Sequence, residues 1–160
     1  MMNDNRKDFT SIFFDFLRFC LKEDTKEPQN LSEMDWDALY DFGRKQAILG
    51  VLFHGIKRLS KSEYRPDRRQ ILRWYADCSF IEKANIQTYK DASDLTEMML
   101  KKFGVHSCVL KGQTNALMYP DPYMRTSGDI DLWTDAKTLD IIRISRQLDP
   151  KGEIGYHHIE

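Results

Sequence analysis

Apolar residues in the first part of the chain recur at the spacing of α-helices. A first amphipathic helix is predicted where they fall three and four positions apart on one face: Phe9, Ile12, Phe13, Phe16, Leu17 and Cys20. The polar run 22–30, which contains Pro28, breaks this pattern. Residues 32–35 have the spacing of a capping box, so a second helix is predicted to begin there. Its buried side is predicted to carry Trp36, Leu39, Tyr40 and Phe42.

Two further helices are predicted before residue 104. Residues 47–59 form an apolar stretch of helical length. Pro66 suits the first turn of a fourth helix, because its missing N–H would have no partner there. Residues 67–103 contain neither Gly nor Pro, which predicts one very long helix or two joined by a kink between 85 and 92. The predicted buried stripe of this region includes Ile71, Trp74, Cys78, Ile81, Asn85, Leu95, Met98 and Met99.

The hydrophobic period changes after Gly104, which has the position of a helix C-cap. The segment 105–110 is short and contains β-branched residues, so it is predicted to form a strand. Lys111 and Gly112 follow, and then a short helix is predicted over 113–119. The Pro-Asp-Pro sequence at 120–122 forces a turn, and 129–133 are predicted to form a second strand.

A last helix is predicted to follow the second strand, with Thr134 or Asp135 as its cap. Its inward residues are predicted to be Leu139, Ile141, Ile142, Ile144 and Leu148. Residues 153–159 are predicted to begin a third strand. The whole pattern predicts an α+β fold, in which a helical region, 1–103, packs on a small mixed β-sheet in 104–160.

Composition and charge narrow the function classes. The 24 basic residues nearly cancel the 25 acidic ones, so the whole chain gives no strong signal for binding nucleic acid or an anionic membrane. The apolar stretch 9–21 is interrupted by Asp15 and Arg18, which argues against a signal peptide or a membrane span and favours the cytoplasm. Widely spaced cysteines in apolar surroundings are predicted to be core thiols: Cys20, Cys78 and Cys108.

Asp129-Ile130-Asp131 is the first motif with a chemical meaning. Side chains alternate along a strand, so both carboxylates are predicted to share one face while Ile130 points into the core. Two carboxylates this close repel each other unless a cation lies between them, and Mg²⁺ is commonly held by one or two carboxylates together with substrate phosphates. Asp129 and Asp131 are therefore predicted to be catalytic residues that bind Mg²⁺ or Mn²⁺. Alone the motif is weak, because solvated acids at a strand edge are common.

A second motif, Lys111-Gly112-Gln113, lies between the first strand and the short helix. It places a glycine where the backbone approaches a ligand closely, at the positive end of a helix. Gly112 and Gln113 are predicted to hold a triphosphate through backbone groups, while Lys111 and Arg125 neutralise its charge. A surface lysine and an ion-paired arginine are the alternatives for each residue alone. The order of the motifs together favours a site for nucleotide and metal.

The segment 104–133 resembles an uncharacterised bacterial nucleotidyltransferase-like family of the DNA polymerase beta superfamily. The matching motifs occur in the family's order: Lys111-Gly112, Tyr119-Pro120, Arg125 and Asp129-Ile130-Asp131-Leu132. The resemblance implies a sheet of nucleotidyltransferase type in 104–160. It also implies metal-dependent transfer of a nucleoside monophosphate from an NTP to an acceptor that bears a hydroxyl group.

Two features depart from the family pattern. Gln113 occupies a position where the wider superfamily usually has Gly or Ser. Superfamily members also supply a third carboxylate from a later strand, and no such strand follows Glu160. The resemblance therefore implies that the chain is an incomplete catalytic domain that is nearly inactive by itself.

Two other function classes stay open from the sequence. An Asp-x-Asp glycosyltransferase would use the same acid pair to bind a metal and a diphosphate sugar, but it would have a larger doubly wound sheet before the motif. A non-catalytic nucleotide-binding or interaction module, such as one partner of a toxin–antitoxin pair, would bind a protein. The sequence identifies neither the acceptor nor the preferred base.

Overall fold

The structure is a computed structural model that describes residues 4–126 and 128–152. Four helices make up most of its N-terminal part: α1 (Asp4–Leu21), α2 (Trp36–Lys45), α3 (Leu49–Arg58) and α4 (Arg68–Phe103), with a 3-10 helix, Leu31–Glu33, before α2. Helix α3 begins later than predicted because Ala47 has a φ of 56°, which a right-handed helix does not accommodate. Among the described residues, no helix has the length and apolar character needed to cross a membrane.

The start of α2 corrects a capping prediction. Asp35 caps the helix, because its carboxylate accepts hydrogen bonds from the backbone N–H groups of Asp37 and Ala38. Ser32 lies inside the 3-10 helix Leu31–Glu33 and makes no cap. The acid next to the first helical residue therefore satisfies the free N–H groups, rather than the serine three positions earlier.

Helix α4 is a single helix of 36 residues, which resolves the choice between one helix and two. Asp67 caps its start in a reciprocal capping box with Gln70, so Pro66 lies just before the helix and not in its first turn. Gly104 ends the helix with a φ of 66°, as predicted for a left-handed C-cap.

The main hydrophobic core lies between the four helices. Its largest fully buried side chains come from every helix and from the connecting segments: Phe16, Cys20, Leu31, Leu39, Leu52, Leu59, Pro66, Trp74 and Cys78. The rings of Tyr40 and Trp74 meet edge to face, with 5.3 Å between their centroids. The predicted buried faces of α1 and α2 are confirmed.

Two of the three cysteines are core thiols, as predicted. Burial raises the pKa of both Cys20 and Cys78 to about 12, so neither ionises near neutral pH. The prediction for Cys108 is wrong, because alternate side chains of its strand face outwards and its side chain is exposed.

Residues after Gly104 form a small sheet and three short helical segments. Strands β1 (Ser107–Leu110) and β2 (Asp131–Thr134) pair antiparallel, with Leu110 opposite Asp131. Between them lie α5 (Gly112–Ala116) and a 3-10 helix (Pro122–Met124). The α+β class is confirmed. A mixed sheet would need a parallel pair, which residues 4–126 and 128–152 do not contain. The third strand predicted at 153–159 lies outside the described residues.

The last helix, α6 (Thr138–Leu148), differs most from its prediction. Its N-cap is Lys137, whereas Asp135 accepts a hydrogen bond from the backbone N–H of His106. None of its residues is buried, and Leu139 is 68% exposed. The apolar face exists in the sequence, but the two-stranded sheet has too little area to cover it.

Candidate active site

The pairing of the two strands brings the two sequence motifs together. Because Leu110 pairs with Asp131, the residue after β1 lies beside the residue that begins β2. Lys111 Nζ accordingly lies 3.3 Å from Asp131 Oδ1. The Lys111 side chain is 71% exposed and that of Asp131 is 35% exposed, so the ion pair contributes little stability. The lysine is therefore free to turn towards an incoming phosphate.

Lys111 has a strained backbone. Its φ is 46° and its ψ is −127°, a combination that side chains with a Cβ rarely adopt. Such residues cost on the order of 1–3 kcal/mol and concentrate at ligand sites. The sequence predicted a close approach of the backbone to a ligand at Gly112, and the structure adds a positive φ at the lysine before it.

Gly112 lies close to two other residues of the predicted site, Asp129 and Arg125. A Cβ at Gly112 would be 3.8 Å from the backbone oxygen of Asp129 and 4.0 Å from Arg125 Nη1. These are ordinary van der Waals distances, so the fold itself leaves room for an alanine here. The space in front of Gly112, bordered by a guanidinium, suits the close approach of an anionic ligand to the backbone.

The position of the two acids relative to the second strand differs from the predicted one. Strand β2 begins at Asp131, so Asp129 lies in the segment before the strand. Strand alternation therefore does not by itself place both carboxylates on one face. Asp129 is exposed and Asp131 is half-buried, which leaves both reachable from solvent.

The acid pair fits Mg²⁺ in its donor chemistry. Both side chains offer carboxylate oxygens, and Mg²⁺ takes one or two of these when substrate phosphates and waters complete its shell. Within residues 4–126 and 128–152, no group of three or more His, Cys, Asp or Glu side chains is placed to hold a metal ion.

Gln113 lies apart from this cluster. Its side chain is 5% exposed, and neither its amide nitrogen nor its amide oxygen has a hydrogen-bond partner. It borders a cavity of about 230 Å³ together with Tyr89 and Ala92 of α4. Helix α5 is only five residues long, so its dipole adds little to anion binding. Any contact from Gln113 to phosphate would come from its backbone, as the sequence predicted.

The helices hold the segment that carries Arg125. A Cβ on Gly50 of α3 would lie 1.9 Å from the backbone oxygen of Met124, so only glycine allows this approach. On α4, Asn85 Nδ2 donates hydrogen bonds to the backbone oxygens of Tyr123 and Arg125, at 2.6 and 2.5 Å. Sequence reasoning missed these contacts. The one available signal was a polar residue, Asn85, on an otherwise apolar stripe.

The fold and the cluster together define a class of protein. A lysine, an arginine, a glycine backbone and two acids lie close together, and groups of these kinds can bind a phosphorylated ligand. The chain belongs to the uncharacterised nucleotidyltransferase family, whose model matches residues 32–156. The match covers helices α2–α6 and the site, and it leaves out helix α1. No curated protein and no solved structure matches the chain significantly.

Proposed function

We propose that the protein transfers a nucleoside monophosphate from an NTP to a hydroxyl-bearing acceptor and releases pyrophosphate. The observation that carries the proposal is that Lys111, Gly112, Arg125 and Asp131 lie close together around one space. Membership of the nucleotidyltransferase family supports the same reaction class. Bacterial origin and a place in the DNA polymerase beta superfamily remain predictions from the motif.

Each residue has a role that follows from its position. Lys111 and Arg125 would pair with the negative charge of the triphosphate, and Arg125 would do so beside the backbone of Gly112. Gln113 would contribute a backbone group. Asp129 and Asp131 would hold Mg²⁺ or Mn²⁺, and the ion would supply charge neutralisation at the phosphates. Catalysis of this kind rests on positioning and electrostatics.

Lys111 and Asp131 already form an ion pair with each other before a ligand binds. An arriving triphosphate offers the lysine a more strongly charged partner, and this frees the Asp131 carboxylate. Nucleotide binding and the release of Asp131 from its lysine partner would therefore favour each other. This coupling explains why the site would take the metal and the nucleotide together.

Different observations distinguish the proposed function from the two alternative functions. A glycosyltransferase of the Asp-x-Asp type needs a large sheet before the motif, whereas β1 is the first strand of the described residues, which begin at 4. A non-catalytic nucleotide-binding module, alone or with a protein partner, would use the same cluster without transfer. The second alternative is decided by measuring transfer and binding in one experiment.

The test compares ATP labelled at the α-phosphate with ATP labelled at the γ-phosphate. The protein is incubated with Mg²⁺ or Mn²⁺ and with acceptor pools of protein, RNA or small molecules. We expect label from the α-phosphate, and not from the γ-phosphate, to enter one pool. Radiolabel is used because it detects slow turnover.

Asp131→Asn should abolish the transferred label, while Asp140→Asn, the same change at an exposed site on α6, should leave it unchanged. Transfer of γ-label would identify a phosphotransferase instead. Binding of ATP with no transfer from either position would favour the non-catalytic module.

A further inference from the structure

Two polar side chains on α4 contact the two backbone segments that form the site. Asn85 is 3% exposed, and its amide donates to the backbone oxygens of Tyr123 and Arg125. The Tyr89 hydroxyl donates to the backbone oxygen of Gln113 at 2.9 Å. Asn85 and Tyr89 are four residues apart, so they project from the same face of the helix.

The sheet alone does not fix all parts of the site. Pairing of β1 with β2 places Lys111 beside Asp131, but Arg125 lies before β2 and outside the ladder. The main chain at Arg125 is attached to α4 through Asn85. The main chain just after Gly112 is attached to the same helix through Tyr89. One rigid helix therefore sets the distance between the arginine and the glycine.

The chemistry of Asn85 supports a specific role. A buried amide is costly unless its donors find partners, and an apolar residue at this place in the core stripe would avoid that cost. Both donor hydrogens of Asn85 reach carbonyl oxygens, which satisfies the group. The rings of Tyr89 and Tyr123 also meet, with centroids 5.5 Å apart, so the two contacts form one continuous patch.

We propose that Asn85 and Tyr89 are positioning residues for nucleotide binding. Asn85 places Arg125, and Tyr89 places the backbone at Gly112 and Gln113, so that guanidinium and glycine face the same phosphates. This inference rests on the proposed function, but the attachment of the two backbone segments to α4 can be measured without nucleotide. The long helix α4 then serves as the frame of the site as well as part of the core.

The first measurement is amide hydrogen exchange of the nucleotide-free protein. Tyr89→Phe removes only the hydroxyl and should raise exchange in residues 111–117. Asn85→Leu should raise it in residues 121–126, and Asn85→Ala, which leaves room for water, is the second variant if the leucine form folds poorly. Loss of one such hydrogen bond shifts a local equilibrium by roughly twofold to tenfold. Tyr75→Phe, the same change at an exposed site on α4, should alter neither segment.

The second measurement is the affinity for ATP with Mn²⁺. Both substitutions should weaken it by roughly twofold to tenfold. In an Arg125→Ala background the Asn85 substitution should have no further effect, because it acts through that arginine. Equal losses in both backgrounds, or exchange that rises uniformly over all helices, would overturn the proposal. Absence of ATP binding by the unmodified protein would contradict the proposed function, while the exchange pattern would still decide whether the two residues hold the loops.

Discussion

The helical region and the site region differ sharply in how they are stabilised. The four helices share a hydrophobic core in which Phe16, Leu52 and Trp74 are nearly inaccessible. After Gly104, the buried residues within the described part of the chain are Val105, Gln113, Ala116 and Met124. Of these four, Met124 alone belongs to the main core.

This difference distinguishes the part of the chain that stabilises the fold from the part that carries the candidate site. The charged groups of the site are exposed or half-buried, which a ligand requires, and they contribute little to folding. The site segments gain their order from contacts with the helices at Gly50, Asn85 and Tyr89. We conclude that the helical region supplies the rigidity that the small sheet lacks.

The largest effect is expected from a substitution that disrupts the helical core. Trp74→Ala should lower the free energy of unfolding by about 3–5 kcal/mol, because it removes a buried indole that is 1% exposed. Leu139→Ala on α6, where the side chain is 68% exposed, should change it by no more than about 0.5 kcal/mol. Urea denaturation of both variants measures the contrast. A loss at Leu139 as large as the loss at Trp74 would mean that α6 is covered in the folded protein.

A smaller effect is expected within the site, at the strained residue. Lys111→Gly relieves the positive φ, whereas Lys111→Ala keeps the Cβ and the strain. The glycine variant should therefore be more stable than the alanine variant by about 1 kcal/mol. Both lack the charge and should bind ATP more weakly than the unmodified protein. Thermal unfolding checks the first statement, and equal melting temperatures would show that the backbone at Lys111 is relaxed.

Much of the fold follows from the sequence because the helices carry their own periodicity. The spans of α1, α2 and α4, and the left-handed cap at Gly104, are readable from local patterns. The cap of α2 was misassigned because several polar residues precede the helix, and the capping-box spacing at 32–35 was preferred to Asp35, which directly precedes the first helical residue. The prediction for α6 was only partly right: Ile141, Ile142 and Ile144 are half-buried, but Leu139 and Leu148 are exposed. Periodicity marks an apolar face but does not say what covers it.

The site was only partly predictable. The motif identified Lys111, Gly112, Arg125 and Asp131, and the structure places them around one space. The side chain of Gln113 lies apart from that space. The contacts from Asn85 and Tyr89 span distant parts of the chain, so no local pattern reveals them.

The central claim is that the groups of residues 111–131 form one site for a nucleotide and a metal. Calorimetric titration of ATP, with and without Mn²⁺, tests it most directly. The unmodified protein should bind the metal weakly alone and bind ATP more tightly when Mn²⁺ is present, because the ion shares phosphate oxygens with the protein. Asp129→Asn combined with Asp131→Asn should remove that enhancement and leave the melting temperature nearly unchanged. A double variant that titrates like the unmodified protein would contradict the account.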